Sequence, residues 1–158
     1  MANPEHVEIV KQGAQAIDQW RGHFVCRTLD LTWGDLTDEN LTGANLRDAK
    51  LTDAFLTMAN LTDVNLTGAD LTGIRLYKAI GNGKEIHTIQ TDQYHVNIVL
   101  PTRIIWIDCI HHTVDDWFCF SDEEIEGMEL ITTIDAGFLT WWKIWKPILQ
   151  SIVEAIEA

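Results

Sequence analysis

Between residues 31 and 76 leucine recurs at every fifth position: Leu31, Leu36, Leu41, Leu46, Leu51, Leu56, Leu61, Leu66, Leu71 and Leu76. Two places before these leucines sit small or apolar residues, among them Ala44, Ala49, Ala54, Ala59, Val64, Ala69 and Ile74. The residue just before is often Asn or Asp (Asn40, Asn45, Asn60, Asn65, Asp70), and the one after is usually threonine. A period of five matches neither the helical repeat of about 3.6 nor the strand repeat of about 2. It predicts a chain that turns a corner every five residues and sends one large and one small side chain inward per side. Gly34 and Glu39 occupy inward small-residue positions, which predicts an irregular first coil.

Ala44-Asn45-Leu46, Ala59-Asn60-Leu61 and Ala69-Asp70-Leu71 follow the unit A-(D/N)-L-x-x, and residues 29–80 resemble the pentapeptide-repeat family on that basis. The resemblance implies a short right-handed quadrilateral β-helix in which residue i lies over residue i+20. Asp30, Lys50 and Asp70 would then form one outer column, and Leu31, Leu51 and Leu71 an inner one. An interior filled by leucine and alanine leaves no room for a substrate.

The flanks read as caps, because an open coil exposes unpaired backbone at both ends. Asn3-Pro4-Glu5 is a helix start, and Val7, Val10, Ala14 and Ile17 then fall on one face of an N-terminal capping helix. Gly81-Asn82-Gly83 marks a boundary, followed by strand-like runs at 85–91, 94–100 and 103–110. Pairing Thr91 with Tyr94 and Leu100 with Arg103 gathers Ile89, Val96, Ile98, Ile105 and Ile107 on one face. The other face carries Thr88, Gln90, His95, Asn97, Trp106 and Asp108 and reads as the wetter one; there His95 and Asp108 stand opposite each other. Thr113 and Ser121 begin short helices, with Asp116 and Glu124 placed as capping acids. A final amphipathic run follows, which Pro147 is expected to break or kink. The expected fold is mainly β: a capping helix in 1–28, the β-helix in 29–80, and an α+β extension in 81–158 with a β-meander and helices.

Within that extension, Gly81-Asn82-Gly83-Lys84-Glu85-Ile86, Cys109-x-x-His112, Trp117, Phe120, Trp141-Trp142 and Trp145-Lys146 resemble uncharacterised phage and prophage pentapeptide proteins. The resemblance implies a phage or prophage origin and no particular mechanism.

Charge narrows the function classes. Lysine and arginine number 11 against 24 aspartates and glutamates, a formal net charge of -13, which excludes direct nucleic-acid binding by phosphate neutralisation. Hydrophobic content of 46% excludes a disordered acidic tail. Cys26, Cys109 and Cys119 are too few for a secreted disulfide framework, and no apolar run approaches a membrane span. These features point to a cytoplasmic protein without a membrane partner. Asp115, Asp116, Asp122, Glu123, Glu124, Glu126 and Glu129 lie in a stretch with no lysine or arginine. Acid-rich helix starts account for part of it; a docking face for a host protein with a basic surface is the other reading.

Three further readings concern sites. Cys109, His111, His112 and Cys119 contain zinc-type ligands, but only Cys109 and His112 have ligand spacing, and no orienting acid marks a Cys109–His111 nucleophile. No metal or other cofactor is expected. Phe138, Trp141, Trp142, Trp145, Ile148, Leu149, Ile152 and Ile156 form a broad apolar stripe, expected to be a homodimer seam. The resulting expectation is a non-enzymatic protein-binding module, a phage-encoded inhibitor of a nucleic-acid-handling or defence protein. Pentapeptide-repeat proteins that imitate DNA against gyrase suggest mimicry, which here would sit on the C-terminal acids. The alternative is a small enzyme or a ligand- or metal-binding protein using Cys109, His111 and His112.

Overall fold

A computed structural model describes residues 1–22, 28–91, 94–108, 110–125 and 138–158. Cys26, Cys109, Glu126 and Glu129 lie outside these residues. The chain forms two compact units, Met1–His111 and His112–Ala158.

The N-terminal unit is built on the coil. Parallel bridges join Asp30 to Lys50, Asp35 to Phe55, Asn40 to Asn60, Asn45 to Asn65, Lys50 to Asp70, Phe55 to Arg75 and Asn60 to Ile80. Each link spans twenty residues, so four five-residue repeats complete one coil. The periodic leucines are at most 2% exposed, and Ala44, Ala49, Ala54 and Ala59 fill the space between them. The corners explain the rest of the repeat. The residue two after each leucine is left-handed, from Trp33 at φ 63° to Lys78 at φ 55°. Asp and Gly, which adopt this region most readily, take most of those positions. The corner closes when the amide three residues on donates to the leucine carbonyl, as Ala44 does to Leu41 at 2.9 Å. The Asn or Asp before the leucine stabilises the corner from its flank, accepting the amide two residues on: Thr42 donates to Asn40 and Thr72 to Asp70.

The first coil is regular, contrary to the expectation from Gly34 and Glu39. Gly34 is buried, and a Cβ there would lie 2.8 Å from the Leu31 carbonyl oxygen, so only glycine fits. Glu39 keeps the backbone pattern and turns its half-buried carboxylate toward Lys11, 3.9 Å away.

Two helices, not one, cover the front: α1 (Pro4–Lys11) and α2 (Ala14–Gly22). Gly13, at φ 90°, turns the chain between them. Asn3 caps α1 through Glu5 N, and Val10 and Ile17 are fully buried in the coil's core. The same segment bonds part of the open rim. Asn3 N donates to the Asp30 carbonyl at 3.0 Å, and Asp30 N donates to His6 Nδ1 at 2.9 Å. Arg21 donates to the carbonyls of Asn45 and Arg47 at 2.9 and 2.7 Å.

Behind the coil stands a four-stranded sheet in chain order: β1 (Ile86–Gln90), β2 (His95–Val99), β3 (Ile104–Ile107) and β4 (Ile110–Thr113). Ile89 pairs with Val96, and Val96 with Ile107, the register expected from the two hairpins. The run 103–110 is divided, because Asp108 is left-handed at φ 49° and ends β3. The face expected to be wet is the one that meets the coil. Ile86, Val99, Trp106 and Ile104 join the coil's hydrophobic cluster, and the polar residues between them bond to its last backbone groups. The opposite face is apolar and also buried at Val96, Ile98, Ile105 and Ile107.

In the C-terminal unit, Thr113 caps α3 (Val114–Cys119), and α4 spans Phe138–Glu157. Trp117, Phe138 and Trp142 make an aromatic core, with Trp117 5.2 Å from Trp142 and 6.3 Å from Phe138 between ring centroids. α4 runs unbroken through Pro147, so of the expected break or kink the break does not occur. Proline has no amide for the Lys143 carbonyl, and both residues are exposed, so water can take that carbonyl.

Candidate functional site

One side of the coil departs from the repeat. In the stack of Leu36, Leu56 and Leu76, outer positions that are mostly Asn, Asp or Thr elsewhere hold Phe55, Arg75 and Tyr77, and the corners hold Met58 and Lys78. Asp53, Thr57, Gly73, Arg75, Tyr77, Trp106 and His111 line a groove of about 460 Å³ on this side. The Arg75 guanidinium lies 4.7 Å over the Phe55 ring, and Lys78 Nζ lies 5.1 Å over Tyr77. His111 stacks on Trp106 at 4.1 Å. Leucine periodicity hides this feature; reading where the repeat is broken finds it.

The acids expected to dock a partner lie at two capped helix starts. Asp115, Asp116, Asp122, Glu123 and Glu124 are all exposed. Asp116 N donates to Thr113 Oγ1 at 3.1 Å, and the Thr113 hydroxyl donates back to the Asp116 carboxylate at 2.7 Å. Glu124 accepts from Ser121 N and Oγ at 2.8 and 3.0 Å, bonds that hold its carboxyl below the usual range. Lys143 of α4 reaches Asp122 at 2.8 Å, so a stretch without bases along the chain meets one in space.

His111 and His112 are consecutive on β4 and point to opposite faces. His111 joins Trp106, whereas His112 packs edge-on against Trp117 and Phe120 at 5.1 and 4.8 Å. Burial lowers the His112 pKa, with Asp116 opposing. The two imidazoles therefore do not converge, and Cys119 is an exposed thiol. Among the described residues, no three His, Cys, Asp or Glu side chains are grouped to hold a metal. The expected His95–Asp108 pair is made by backbone: His95 N donates to Asp108 Oδ1 at 3.0 Å, while the His95 ring donates from Nε2 to the Ala79 carbonyl at 2.6 Å.

The stripe on α4 divides. Phe138, Trp141, Trp142 and Leu149 are buried within the chain and are not free to form a seam. Trp145, Ile152 and Ile156 are half-buried, and Ile148 is 42% exposed. Ile144, 59% exposed, extends the open part and was not expected there.

The Pentapeptide repeats family matches residues 40–77, in eight copies. These residues carry pentapeptide repeats, in keeping with a coil of the β-helix type. Among solved structures the chain is similar to HetL, a pentapeptide repeat protein involved in heterocyst differentiation regulation from the cyanobacterium Nostoc sp. strain PCC 7120. Identity is 38% over 34% of this chain and 26% of that one, with a TM-score of 0.32. The similarity thus spans about a quarter of HetL. No curated protein matches the chain. The family match ends at residue 77.

Proposed function

We propose that the protein is a non-enzymatic protein-binding module, an inhibitor that occupies a host protein through a basic surface on that partner. One observation carries this reading: Asp115, Asp116, Asp122, Glu123 and Glu124 are all exposed on two adjoining helix starts of the C-terminal unit. Like charges held in one place raise the rate of encounter with an opposite surface and lose strength as salt rises. The coil supports the reading from the other direction, since leucine and alanine fill its interior and leave it a scaffold. The phage origin rests on the C-terminal resemblance, and the nucleic-acid-handling or defence target on the resemblance to pentapeptide-repeat proteins that imitate DNA. A cytoplasmic site of action accords with the cysteine usage, and among the described residues no helix is long and apolar enough to cross a membrane. A homodimer through the open part of α4 belongs to the same proposal. It would present two acidic stretches to one partner.

The test is affinity capture from host lysate with immobilised wild type and with a combined Asp115→Lys, Asp116→Lys, Glu123→Lys variant. A basic protein retained by the wild type, released by rising salt and missed by the variant supports the proposal. Equal capture by both would overturn the acidic face as the contact.

A further inference from the structure

We infer that the groove beside Arg75 is a binding site for a mononucleotide, a ligand that joins a planar heterocycle to a phosphate. The first argument is the pattern of exceptions. Coil corners ask for Asp or Gly, and the outer positions ask for an Asn or Asp acceptor and a threonine. Phe55 and Arg75 give up the flanking acceptor, and Met58 and Lys78 accept left-handed backbone at φ 58° and 55°. Trp33, Arg47 and Lys50 depart from the pattern on other sides, but five departures gather on this one. Local rules broken together mark a surface kept for another purpose.

The second argument is chemical. The chain has 24 acids and 11 lysines and arginines, yet Arg75 forms no ion pair among the described residues. Its guanidinium instead lies 4.7 Å over the Phe55 ring, and its planar fork of donors matches a phosphate. Lys78 brings a second positive charge to within 5.1 Å of the Tyr77 ring. Tyr77 and the Trp106–His111 stack supply flat apolar walls for a planar ring. Asp53 and Thr57 complete the lining, and they discriminate between ligands. Asp53 sits against Gly73, where a Cβ would collide with the Asp53 carboxylate. A carboxylate there accepts from sugar hydroxyls or an exocyclic amine, groups that a simple aromatic acid lacks. A volume of about 460 Å³ is that of a small-ligand site.

Calorimetric titration of the full chain at about 0.15 M salt tests the site, using 5′-AMP and 5′-GMP, adenosine, ribose 5-phosphate and indole-3-acetate as probes. At least one mononucleotide should bind saturably, with adenosine and ribose 5-phosphate weaker by tenfold or more. Arg75→Asn and Tyr77→Thr restore residue types that other columns of the coil carry. Both should fold with an unchanged or raised urea midpoint and bind the mononucleotide at least tenfold more weakly. Absence of saturable mononucleotide binding to the wild type would overturn the site. So would equal binding by both variants, or tighter binding of indole-3-acetate.

Discussion

Asn97 donates from its side-chain amide to the carbonyl of Leu76 at 3.0 Å, although Asn97 is only 1% exposed. It ends a relay: Gly81 N donates to Thr88 Oγ1 at 2.6 Å, the Thr88 hydroxyl donates to Asn97 Oδ1 at 2.6 Å, and Asn97 Nδ2 reaches the coil. The last coil has no following coil to take its backbone groups, and these side chains take them instead. Asn97→Leu preserves volume, removes the second donor to the Leu76 carbonyl, which keeps Ala79 N at 2.9 Å, and leaves the Thr88 hydroxyl only the Ala79 carbonyl at 3.5 Å. We expect a loss of about 1–2 kcal/mol, read as a lower urea midpoint. Thr88→Val strands the Gly81 amide and should cost about 1–3 kcal/mol. An unchanged midpoint in Asn97→Leu would show that the cap is held by its apolar contacts alone.

The coil itself should fail on a single inward charge. Leu61 is fully buried in the stack, and Leu61→Lys places an ammonium among leucines. An uncompensated buried charge costs at least several kcal/mol, comparable to the stability of a small domain. Loss of the cooperative unfolding transition is expected, and a folded Leu61→Lys variant would contradict the inward assignment.

Acid should loosen the corners. Hydrogen bonds from Thr32, Thr37 and Thr72 hold the carboxyls of Asp30, Asp35 and Asp70 below their ordinary range, with Lys50 also acting on Asp30. A folded pKa below the unfolded one means that this stability is present above about pH 4 and is lost as pH falls through the folded values. Asp30→Asn, Asp35→Asn and Asp70→Asn together retain the acceptor at each corner and remove the titration. The triple variant should show a shallower fall of thermal midpoint below pH 4 than the wild type.

The C-terminal unit should respond at a higher pH. Burial against Trp117 and Phe120 lowers the His112 pKa despite the nearby Asp116. The unfolded chain therefore takes up a proton before the folded one does. Stability is full above the unfolded value of about 6.5 and declines as pH falls from there toward the folded value. His112→Phe should remove that decline, observed by following unfolding between pH 7 and pH 5.

The coil was legible because its rules are local. Leucine every fifth residue, a small residue two before it and Asn or Asp between them each act within one corner. The caps were legible only in part, since their partners are distant. Thr88, His95 and Asn97 alternate like a solvent-facing strand, and alternation is the same whether water or a coil's backbone receives the hydrogen bonds. Lys143 closing on Asp122, and Phe138 and Trp142 turning to Trp117, also depend on residues far apart in the chain. The groove was missed for a different reason. Phe55, Arg75 and Tyr77 lie twenty or so residues apart and meet only because the coil stacks them.

The division of α4 sharpens the expected dimer. Burial of Phe138, Trp142, Leu149 and Val153 uses one face of the helix. Ile144, Ile148, Ile152 and Ile156 recur at every fourth residue, a row on neighbouring turns that lies one-sided along the helix. Ile144 and Ile148 are 59% and 42% exposed, and Trp145 stands beside them, stacked on Trp141 at 5.9 Å. A row of four isoleucines is self-complementary when two copies cross about a twofold axis, because each half meets the other half of its partner. The expected particle at micromolar concentration has twice the chain mass of 18.0 kDa. Ile148→Glu and Ile152→Glu put a charge into each half of the seam while leaving Phe138, Trp142, Leu149 and Val153 in place. Each should halve the mass in sedimentation without lowering helix content by circular dichroism. A wild-type monomer at high concentration would sink the dimer, and an Ile148→Glu protein that stays at double mass would move the seam elsewhere.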